Sequence, residues 1–538
     1  MPAKLKKISL LLWCLPGFLL WAAFPPMGEK LDILFALAPL IWLSRRASAK
    51  VSARRWFLSG LVFWFATLSW MPAIVKNGGP WPLVVLGWGA LAAYSAAYFA
   101  AYGYLSAKFW AWARTPGLDG TAAYWKRLAV VFIAEPVLWC GLELVRSRFA
   151  GGFAWNQLGV VPVNAGFASP AAFGGVYLLS AVVILINGTV AGIAERVWKP
   201  ADSGFPSLRK WGGLETVLAF VLVWIVFSVS SHFAPVRSSG EQYIKVALVQ
   251  RNFPCVFSSA GVRENPLDVY ARLLENPAYL KPDLVVLPES AMCEFGPVDQ
   301  QGAVNFASWI MEQTGGAVLA GGTRYYDGKE YNSAALYSAN GGYQVYDKVH
   351  LVPFGEFIPG DKWITPLQKL APVGSCTPGE LKVLDLNGVK LGVAICFEDT
   401  DSAQMRRLAE MGARLLVFIT NDSWFSHSNE AEQHAWQAVA RAVETGLPVA
   451  RVGNSGVTGT IKSDGSANWL VGADRRLLVD RPAAMCDRLE LPSASSPTVY
   501  VRYGDIPLAV AFSLLLIAAG AVELGSRGFK PGFLRGRL

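Results

Sequence analysis

The chain has 538 residues, of which 53% are hydrophobic and only 16% charged, with a net charge of +9. Soluble proteins carry about a quarter charged residues, so this composition excludes an ordinary soluble enzyme. The excess of lysine and arginine lies in short loops beside apolar stretches, which indicates a membrane protein rather than a nucleic-acid-binding one.

Eight apolar stretches predict membrane-spanning helices, at residues 8–24, 31–43, 57–73, 83–105, 128–144, 171–194, 214–229 and 506–522. The second is shorter than the roughly 20 residues that a straight spanning helix needs, so we expect it to lie in a thin region or to begin earlier. The first follows three lysines and resembles a signal peptide, but the many later spans indicate an uncleaved helix.

The distribution of charge predicts the orientation. With the N-terminus in the cytoplasm, twenty lysines and arginines fall in cytoplasmic segments, against four (Lys30, Lys76, Arg146 and Arg148) in the short loops on the other side. This bias satisfies the positive-inside rule. The predicted domains are therefore a membrane domain of seven helices at 1–241, an external domain at 242–496, and an eighth helix with a cytoplasmic tail at 497–538.

Short strands alternate with amphipathic helices within the external segment, which predicts a layered α/β domain. We expect strands at 244–249, 284–287, 316–321, 334–338, 342–346, 390–395, 415–420, 448–452, 459–462 and 476–478, and helices at 266–274, 304–314, 402–411 and 431–445. Residues 493–497 are expected to form a polar linker to the last span.

A cysteine follows one of these strands directly. The buried run 392–395 ends at Cys396, which precedes Phe397, Glu398 and Asp399. A nucleophile at a strand end lies on a sharp turn that exposes its side chain beside backbone N–H groups. The alternative is that Cys396 is a small buried hydrophobic residue, which is the commoner role of a free cysteine.

Two further strand ends carry groups that complement a thiol. Glu289 follows Pro288, which ends its strand, and Lys348 precedes a loop fixed by prolines and a glycine. These three groups suit acyl transfer. The thiolate would attack a carbonyl, the carboxylate would move the proton, and the ammonium would lower the pKa of the thiol and stabilise the oxyanion.

The order Glu289, Lys348, Cys396 resembles the catalytic triad of the nitrilase superfamily. The surrounding sequences, Tyr346-Asp-Lys-Val-His-Leu-Val-Pro-Phe-Gly-Glu-Phe-Ile-Pro and Asn421-Asp-Ser-Trp-Phe, are similar to those of its membrane-embedded family, the apolipoprotein N-acyltransferases. The resemblance extends over nearly the whole chain.

The resemblance implies an α-helical membrane bundle of eight transmembrane helices joined to an extracytoplasmic αββα sandwich. It implies an enzyme of the bacterial inner membrane, with its catalytic domain on the periplasmic side. The acyl chain would pass from a membrane phospholipid, through a cysteine thioester, to the N-terminal diacylglyceryl-cysteine of an apolipoprotein. We expect no cofactor, no metal and no nucleic acid, and a monomer.

The resemblance also assigns supporting roles. Glu398 matches an essential acid two places after the cysteine, Glu356 matches a glutamate that orients the lysine, and the Phe397 N–H would hold the oxyanion. From the residues alone, the alternative for Glu398 is a solvated acid in the first turn of a helix. The alternative for Glu356 is an ordinary loop charge, but its apolar neighbours Phe354 and Phe357 favour burial beside Lys348.

Substrate contacts are expected from Phe153, Trp155, Phe357, Asn421 and Trp424. Phe153 and Trp155 lie in a glycine-rich aromatic loop that suits a mobile lid or a segment lying among the headgroups. The alternative for this loop is an ordinary interfacial aromatic belt.

The chain departs from the family pattern at two places. Phe397 stands where members often carry tyrosine, so a hydroxyl function there is lost. The loop that begins at Gln250-Arg-Asn-Phe-Pro lacks the usual tryptophan, for which Phe253 or Phe257 is the expected substitute.

Two other functions compete with acyl transfer. A membrane-anchored amidase or nitrilase acting on a small substrate would need only one anchor, and eight spans argue against it. A transporter or receptor with an inactive external domain would carry charges lining a path through the spans. The four histidines form no metal-binding signature, and His434 is expected on a polar helix face.

Overall fold

The computed structural model describes residues 3–115, 120–198, 208–233, 242–253, 264–339, 341–358, 374–425, 427–492 and 497–526. The first half is helical: α1 (Ala3–Ala22), α2 (Ala38–Ser44), α3 (Ala49–Thr67), α4 (Trp81–Ala113), α5 (Gly120–Ala129), α6 (Glu135–Arg146), α7 (Val160–Asn164), α8 (Ala171–Trp198) and α9 (Leu208–Phe233). Short 3-10 helices lie at Lys30–Leu34, Met71–Asn77 and Phe149–Gly151. Phe257 and most of the predicted linker lie outside the described residues.

Within the described residues, five helical segments are long and apolar enough to cross a membrane. They are Ala49–Asn77, Trp81–Ala113, Thr121–Arg146, Ala171–Val197 and Gly213–His232, and two shorter apolar helices lie at Trp13–Ala22 and Ile506–Ala521. Large apolar side chains such as Phe220 and Trp224 on α9 are exposed, as expected of a helix that faces lipid. A bundle of apolar helices is therefore present, and the number of crossings stays a prediction.

The predicted second span is broken rather than continuous. Residues 31–43 form a 3-10 turn followed by the seven-residue α2. The side-chain oxygen of Asn187, on α8, accepts hydrogen bonds from the N–H groups of Leu37 and Ala38, and its amide donates to Ile33 O. A break at membrane depth is tolerated only where the freed backbone groups find partners, and Asn187 provides them.

Two other predicted spans contain irregular turns. Between α5 and α6 the helix widens into a π-turn at Val130–Ala134. Pro136, two residues after this turn, lacks the N–H for a regular helical bond. In α8, Gly175 has φ +65°, and Glu444 of the α/β half accepts a hydrogen bond from the Val176 N–H at 2.8 Å. The kink therefore gives the α/β half a backbone donor to bind.

A buried ion cluster joins α5, α8 and α9 to the segment after α2. Arg127 Nε lies 2.8 Å from Glu215 Oε2, and Arg127 Nη1 lies 3.1 Å from Glu195 Oε2. Arg45 Nη1 reaches the same Glu195 oxygen at 3.2 Å. Because buried charges persist only when paired, this cluster fixes the ends of these helices relative to one another.

The second half contains two six-stranded sheets. The strands are β1 (Tyr243–Gln250), β2 (Leu284–Val286), β3 (Ala317–Tyr326), β4 (Lys329–Tyr337), β5 (Tyr343–Asp347), β6 (Val383–Leu386), β7 (Val389–Ile395), β8 (Leu415–Asn421), β9 (Val449–Asn454), β10 (Gly459–Ile461), β11 (Ala467–Trp469) and β12 (Ala483–Glu490). Their orders are β12-β1-β2-β3-β4-β5 and β11-β10-β9-β8-β7-β6. The expected strand at 476–478 is instead a loop with one bridge, Val471 to Leu477, whereas β6, β11 and β12 were not predicted.

The sheets pack face to face with helices on their outer faces. The helices of this half are α10 (Pro266–Leu280), α11 (Gln301–Thr314), α12 (Ser402–Glu410) and α13 (Glu430–Thr445), followed by α14 (Val499–Tyr503) and α15 (Ile506–Ser526). Side chains such as Val246 and Val393 fill the space between the sheets. Tyr270 and Phe306 pack α10 and α11 on the first sheet, and α12 and α13 cover the second. This is the expected αββα layering.

Helix α13 joins the α/β half to the helical bundle. Almost every residue of this helix is buried. The Gln433 amide donates to the backbone oxygen of Pro25, and the Trp155 indole N–H donates to Gln433 Oε1 at 2.8 Å. The second sheet is therefore held against the membrane helices by a buried helix, which places the ends of β7 and β8 near that junction.

Candidate active site

Cys396 lies at the turn where β7 ends. Its φ of +55° is in the left-handed region, which is strained for a residue with a side chain, and a 3-10 turn (Cys396–Thr400) follows. β7 is an inner strand that pairs with β6 and β8, so its end is held in place from both sides. The half-buried thiol is thereby fixed at the carboxyl edge of the second sheet.

Glu289 reaches the site from the first sheet. It follows β2, and the residue is 7% exposed. Its backbone approaches β3 closely at Gly321, where an added Cβ would lie 2.6 Å from the Glu289 Cα. Glycine at this position therefore allows the strand end to pack against its neighbour.

Lys348 follows β5 and is almost fully buried. Its backbone N–H donates to Asn332 O on β4 at 2.8 Å, and its Nζ donates to Glu356 Oε1 at 2.9 Å. The same Nζ lies 3.9 Å from Glu289 Oε1. The structure thus brings Glu289, Lys348 and Glu356 together as the sequence predicts.

Asn332 belongs to this group, although the sequence reasoning missed it. Its amide nitrogen lies 2.7 Å from Glu289 Oε1 and 2.6 Å from Glu356 Oε1, so it donates to both carboxylates. The pairing of β4 with β5 places it beside Lys348. A polar residue within a strand gave no signal because the register of the two strands is not evident from the sequence.

Glu398 fastens the lysine loop to the cysteine turn. Its side chain is fully buried and accepts hydrogen bonds from the N–H groups of Val349, His350 and Ile395 at 2.8 to 3.0 Å, and from the Tyr346 hydroxyl. These donors come from both sheets. Glu398 is therefore not a solvated acid at a helix end, and its contacts give it a positioning function.

The pKa values of the ionisable groups in the site are shifted by burial and by the neighbouring charges. Burial raises the pKa of Glu289 and outweighs the opposing effect of Lys348, with Glu356 adding to the rise. Burial opposes the charged form of Lys348, but Glu356, Cys396 and Glu289 raise its pKa above the usual value. Burial also opposes the charge on Glu356, yet Lys348 and Asn332 hold its pKa below normal. The lysine is therefore an ammonium ion paired with Glu356, and Glu289 is suited to exchange protons.

Lys348 lowers the pKa of the Cys396 thiol, as predicted, but other effects on this pKa are larger. Burial, followed by the Glu289 carboxylate, raises the pKa of Cys396 well above its usual value, and Lys348 opposes this only in part. At neutral pH the Cys396 side chain is therefore a thiol rather than a preformed thiolate. A nucleophilic attack by this thiol would require the loss of its proton, and Glu289 is a neighbouring carboxyl group.

The comparisons with known proteins identify the family. Residues 16–189 match the model of the apolipoprotein N-acyltransferase N-terminal domain, and residues 245–479 match that of carbon-nitrogen hydrolases. A protein from Geobacter metallireducens named apolipoprotein N-acyltransferase is 30% identical over 94% of this chain and 93% of its own length. The chain belongs to the apolipoprotein N-acyltransferase family.

Other comparisons are more distant. A protein of the same name from Photobacterium profundum is 27% identical over 84% of each chain. The crystal structure of a carbon-nitrogen hydrolase from Helicobacter pylori is 19% identical over 50% of this chain and 94% of its own, with a TM-score of 0.36. That score is too low to add to the assignment.

In this N-acyltransferase family member, the aromatic loop packs on the cysteine turn. The rings of Phe153 and Trp155 are nearly parallel to Phe397, with centroids 6.1 and 6.4 Å away. Arg146 donates to the carbonyl oxygens of both loop residues, and the His350 ring lies 2.6 Å from Gly151 O. The loop is neither a free lid nor a simple aromatic belt, and Trp155 is buried.

The other predicted substrate contacts lie around the same edge. Asn421 ends β8, but its side-chain oxygen accepts hydrogen bonds from Ser423 and Asn454, so it has a structural function. Trp424 and Phe357 are both half-buried, on the turn after β8 and on the loop after Lys348 respectively. A role for either ring in substrate binding stays a prediction.

Behind the cysteine turn lies a buried charge cluster around His434, which the sequence reasoning placed on a polar helix face. That expectation is wrong, because His434 is 1% exposed. Its ligand atom and those of Asp422 and Glu430 lie within 4.8 Å of one another, a spacing that could hold a metal ion. The Arg451 guanidinium contacts Asp399 and lies 3.6 Å from Asp422, which already supplies positive charge.

Proposed function

We propose that this chain transfers an acyl chain from a membrane phospholipid to the α-amino group of the N-terminal diacylglyceryl-cysteine of an apolipoprotein, through a thioester on Cys396. The observation that carries the proposal is the Lys348 ammonium, buried 3.9 Å from Glu289 at the strand ends that face Cys396. The proposal draws on membership of the N-acyltransferase family and on the helical bundle joined to the site.

In the first half-reaction the thiol attacks the ester carbonyl of the phospholipid while its proton passes to Glu289. The carbonyl oxygen becomes an oxyanion, held by the Lys348 ammonium and the Phe397 N–H. When the tetrahedral intermediate collapses, the ester C–O bond breaks and the leaving alkoxide takes the proton from Glu289. The products are the acyl-enzyme and a lysophospholipid.

In the second half-reaction the amine of the apolipoprotein attacks the thioester carbonyl. Glu289 accepts a proton from the amine, and the same two donors hold the second oxyanion. The C–S bond then breaks, an amide forms and the thiolate recovers its proton from Glu289. Glu356 and Asn332 act as positioning residues, because they hold the ammonium and the Glu289 carboxylate in place.

The proposal includes the placement in the membrane. We place eight spans in the inner membrane, the catalytic domain at 242–496 on the periplasmic side and the tail in the cytoplasm. This placement would bring both lipid substrates to the site. The charge bias of the loops supports this orientation. We also propose that a monomer suffices, since the three groups of the triad all come from one chain.

Labelled phospholipid tests the function. Detergent-purified protein incubated with phospholipid carrying a radioactive acyl chain should form a hydroxylamine-sensitive adduct, and Cys396→Ala should form none. The matched control is Cys486→Ala, which alters a half-buried cysteine on β12 in the first sheet and should label normally. Normal labelling of Cys396→Ala would place the nucleophile elsewhere.

A further inference from the structure

His434 lies between the two turns that follow β7 and β8. Its Nε2 is 2.9 Å from Asp399 Oδ1, and its Nδ1 is 3.2 Å from Asp422 Oδ1 and 3.5 Å from Glu430 Oε1. Each ring nitrogen therefore faces a carboxylate oxygen. A proton on each nitrogen makes both of these close contacts attractive, whereas a nitrogen without a proton would repel a carboxylate oxygen.

The charges of the cluster balance in this state. The charged and titratable groups around His434 are Asp399, Asp422, Glu430 and Arg451, and each is at most 3% exposed. Burial raises the pKa of Glu430 well above its usual value, so this side chain is uncharged. Burial opposes the charge on His434, but Asp399 and Asp422 raise its pKa to about 10. The His434 imidazolium and the Arg451 guanidinium then face the carboxylates of Asp399 and Asp422.

The two carboxylates belong to the turns that form the candidate site. Asp399 lies three residues after the nucleophile, within the 3-10 turn Cys396–Thr400. Asp422 begins the turn after β8, and its charge raises the pKa of both Cys396 and Glu289. Without a positive charge at His434, only Arg451 would compensate the two buried carboxylates, and one turn would have to shift or take up a proton.

The same helix receives the aromatic loop of the membrane half. Trp155 lies over His434, with ring centroids 5.5 Å apart, and also stacks on Phe397. Its indole N–H is held by Gln433, the residue before His434. His434 thus contacts three segments that define the position of Cys396. They are the turn that begins at Cys396, the turn that follows β8, and the aromatic loop that carries Trp155.

We propose that His434, held as an imidazolium ion between Asp399 and Asp422, is a positioning residue that fixes the Cys396 turn and sets the charge around the thiol. The inference rests on the proposed function only in taking Cys396 as the nucleophile. No atom of His434 is required to touch a substrate.

The first test measures how fast iodoacetamide alkylates Cys396 as a function of pH, with the modified peptide identified by mass spectrometry. In His434→Gln the midpoint of the profile should move upward by about one pH unit, because Asp422 is no longer compensated. The single-turnover rate of thioester formation should fall about a hundredfold, with the KM for phospholipid unchanged. His434→Lys, which keeps the positive charge, should restore the midpoint.

The control is Gln437→Met on the same helix. Gln437 is equally buried and donates to Asn156 at 3.2 Å outside the charge cluster, so its loss should leave the midpoint unchanged. A folded His434→Gln with the wild-type midpoint and rate would overturn the proposal. If wild-type protein incubated with labelled phospholipid forms no acyl adduct at Cys396, the proposed function fails instead.

A second measurement does not depend on a folded variant. In wild-type protein labelled with ¹⁵N-histidine, one of the four histidines should show two protonated ring nitrogens up to about pH 9. Single replacements of His232, His350 and His427 identify His434 by elimination. A neutral ring at pH 7.5, or one divalent metal ion per chain in the purified enzyme, would overturn the assignment.

Discussion

Replacing Glu398 with glutamine tests the positioning of the two sheets most sharply. The substitution keeps the shape but removes one accepting oxygen. If the new amide nitrogen takes the place of Oε2, the buried Ile395 N–H loses its partner, and if it replaces Oε1, two N–H groups do. The first arrangement is the less costly and is therefore the one expected.

An unsatisfied buried donor costs about 1–3 kcal/mol. The two remaining N–H groups then donate to a neutral oxygen. Because a hydrogen bond to a charged group is roughly twice as strong as a neutral one, each of these two bonds loses about 1 kcal/mol. The free energy of unfolding should therefore fall by about 3–5 kcal/mol. At roughly 2–4 °C per kcal/mol for a domain of this size, the Tm should fall by roughly 6–20 °C.

The assay combines thermal unfolding in detergent at a fixed scan rate with single-turnover thioester formation. Because Glu398 joins the Lys348 loop to the Cys396 turn, a shift of about 1 Å should slow thioester formation about a hundredfold. Asp385→Asn is the control, since its carboxylate accepts one exposed bond from the Gly388 N–H and its loss should change stability by less than about 0.5 kcal/mol. A wild-type Tm and rate in Glu398→Gln would refute the reasoning.

Three further predictions follow from the structure. In Lys348→Arg, single-turnover rates of thioester formation and of transfer to the amine should both fall about a hundredfold or more, because a planar guanidinium cannot occupy the place of the compact ammonium; near-normal rates would exclude Lys348 from the site. The pKa of His434 is raised from its ordinary 6.5 to about 10 in the folded protein. The contribution of its protonated form to stability is therefore complete below about pH 6.5 and is lost as the pH rises towards 10. The Tm of the wild type should fall over that pH range, and the Tm of His434→Gln should fall less. In intact cells a membrane-impermeant maleimide should label the exposed Cys293, whereas Lys50→Cys should be labelled only after lysis; the reverse pattern would invert the proposed orientation.

Much of the site could be predicted because its parts follow recognisable strand ends. Cys396 and Lys348 come directly after β7 and β5, and Glu289 comes three residues after β2, so the ends of strands in the two facing sheets supply the three groups. The alternation of strands and helices predicted a layered α/β domain, and the resemblance to the nitrilase superfamily implied its αββα order. The edge strand β12 escaped prediction because its residues are mostly half-buried and show no clear alternation.

The remainder depended on contacts between distant segments. Asn187 breaks the predicted second span, and its partners at Leu37 and Ala38 are about 150 residues away. His434 looked like part of a polar face because its neighbours are glutamates and glutamine, and only the fold shows that the whole helix is buried. The pKa of the thiol depends on burial and on Glu289, neither of which the spacing of residues along the chain reveals.

The central claim is that Cys396 carries the acyl chain between two lipid substrates. The most direct measurement is mass spectrometry of wild-type protein that has been mixed with phospholipid and quenched in acid. The account predicts that the peptide containing Cys396 gains the mass of one acyl chain, and that a diacylglyceryl-cysteine peptide added before the quench removes this mass and appears as its N-acylated product. A product formed without any acylated Cys396 peptide, or an acyl chain found on another residue and passed on from there, would contradict it.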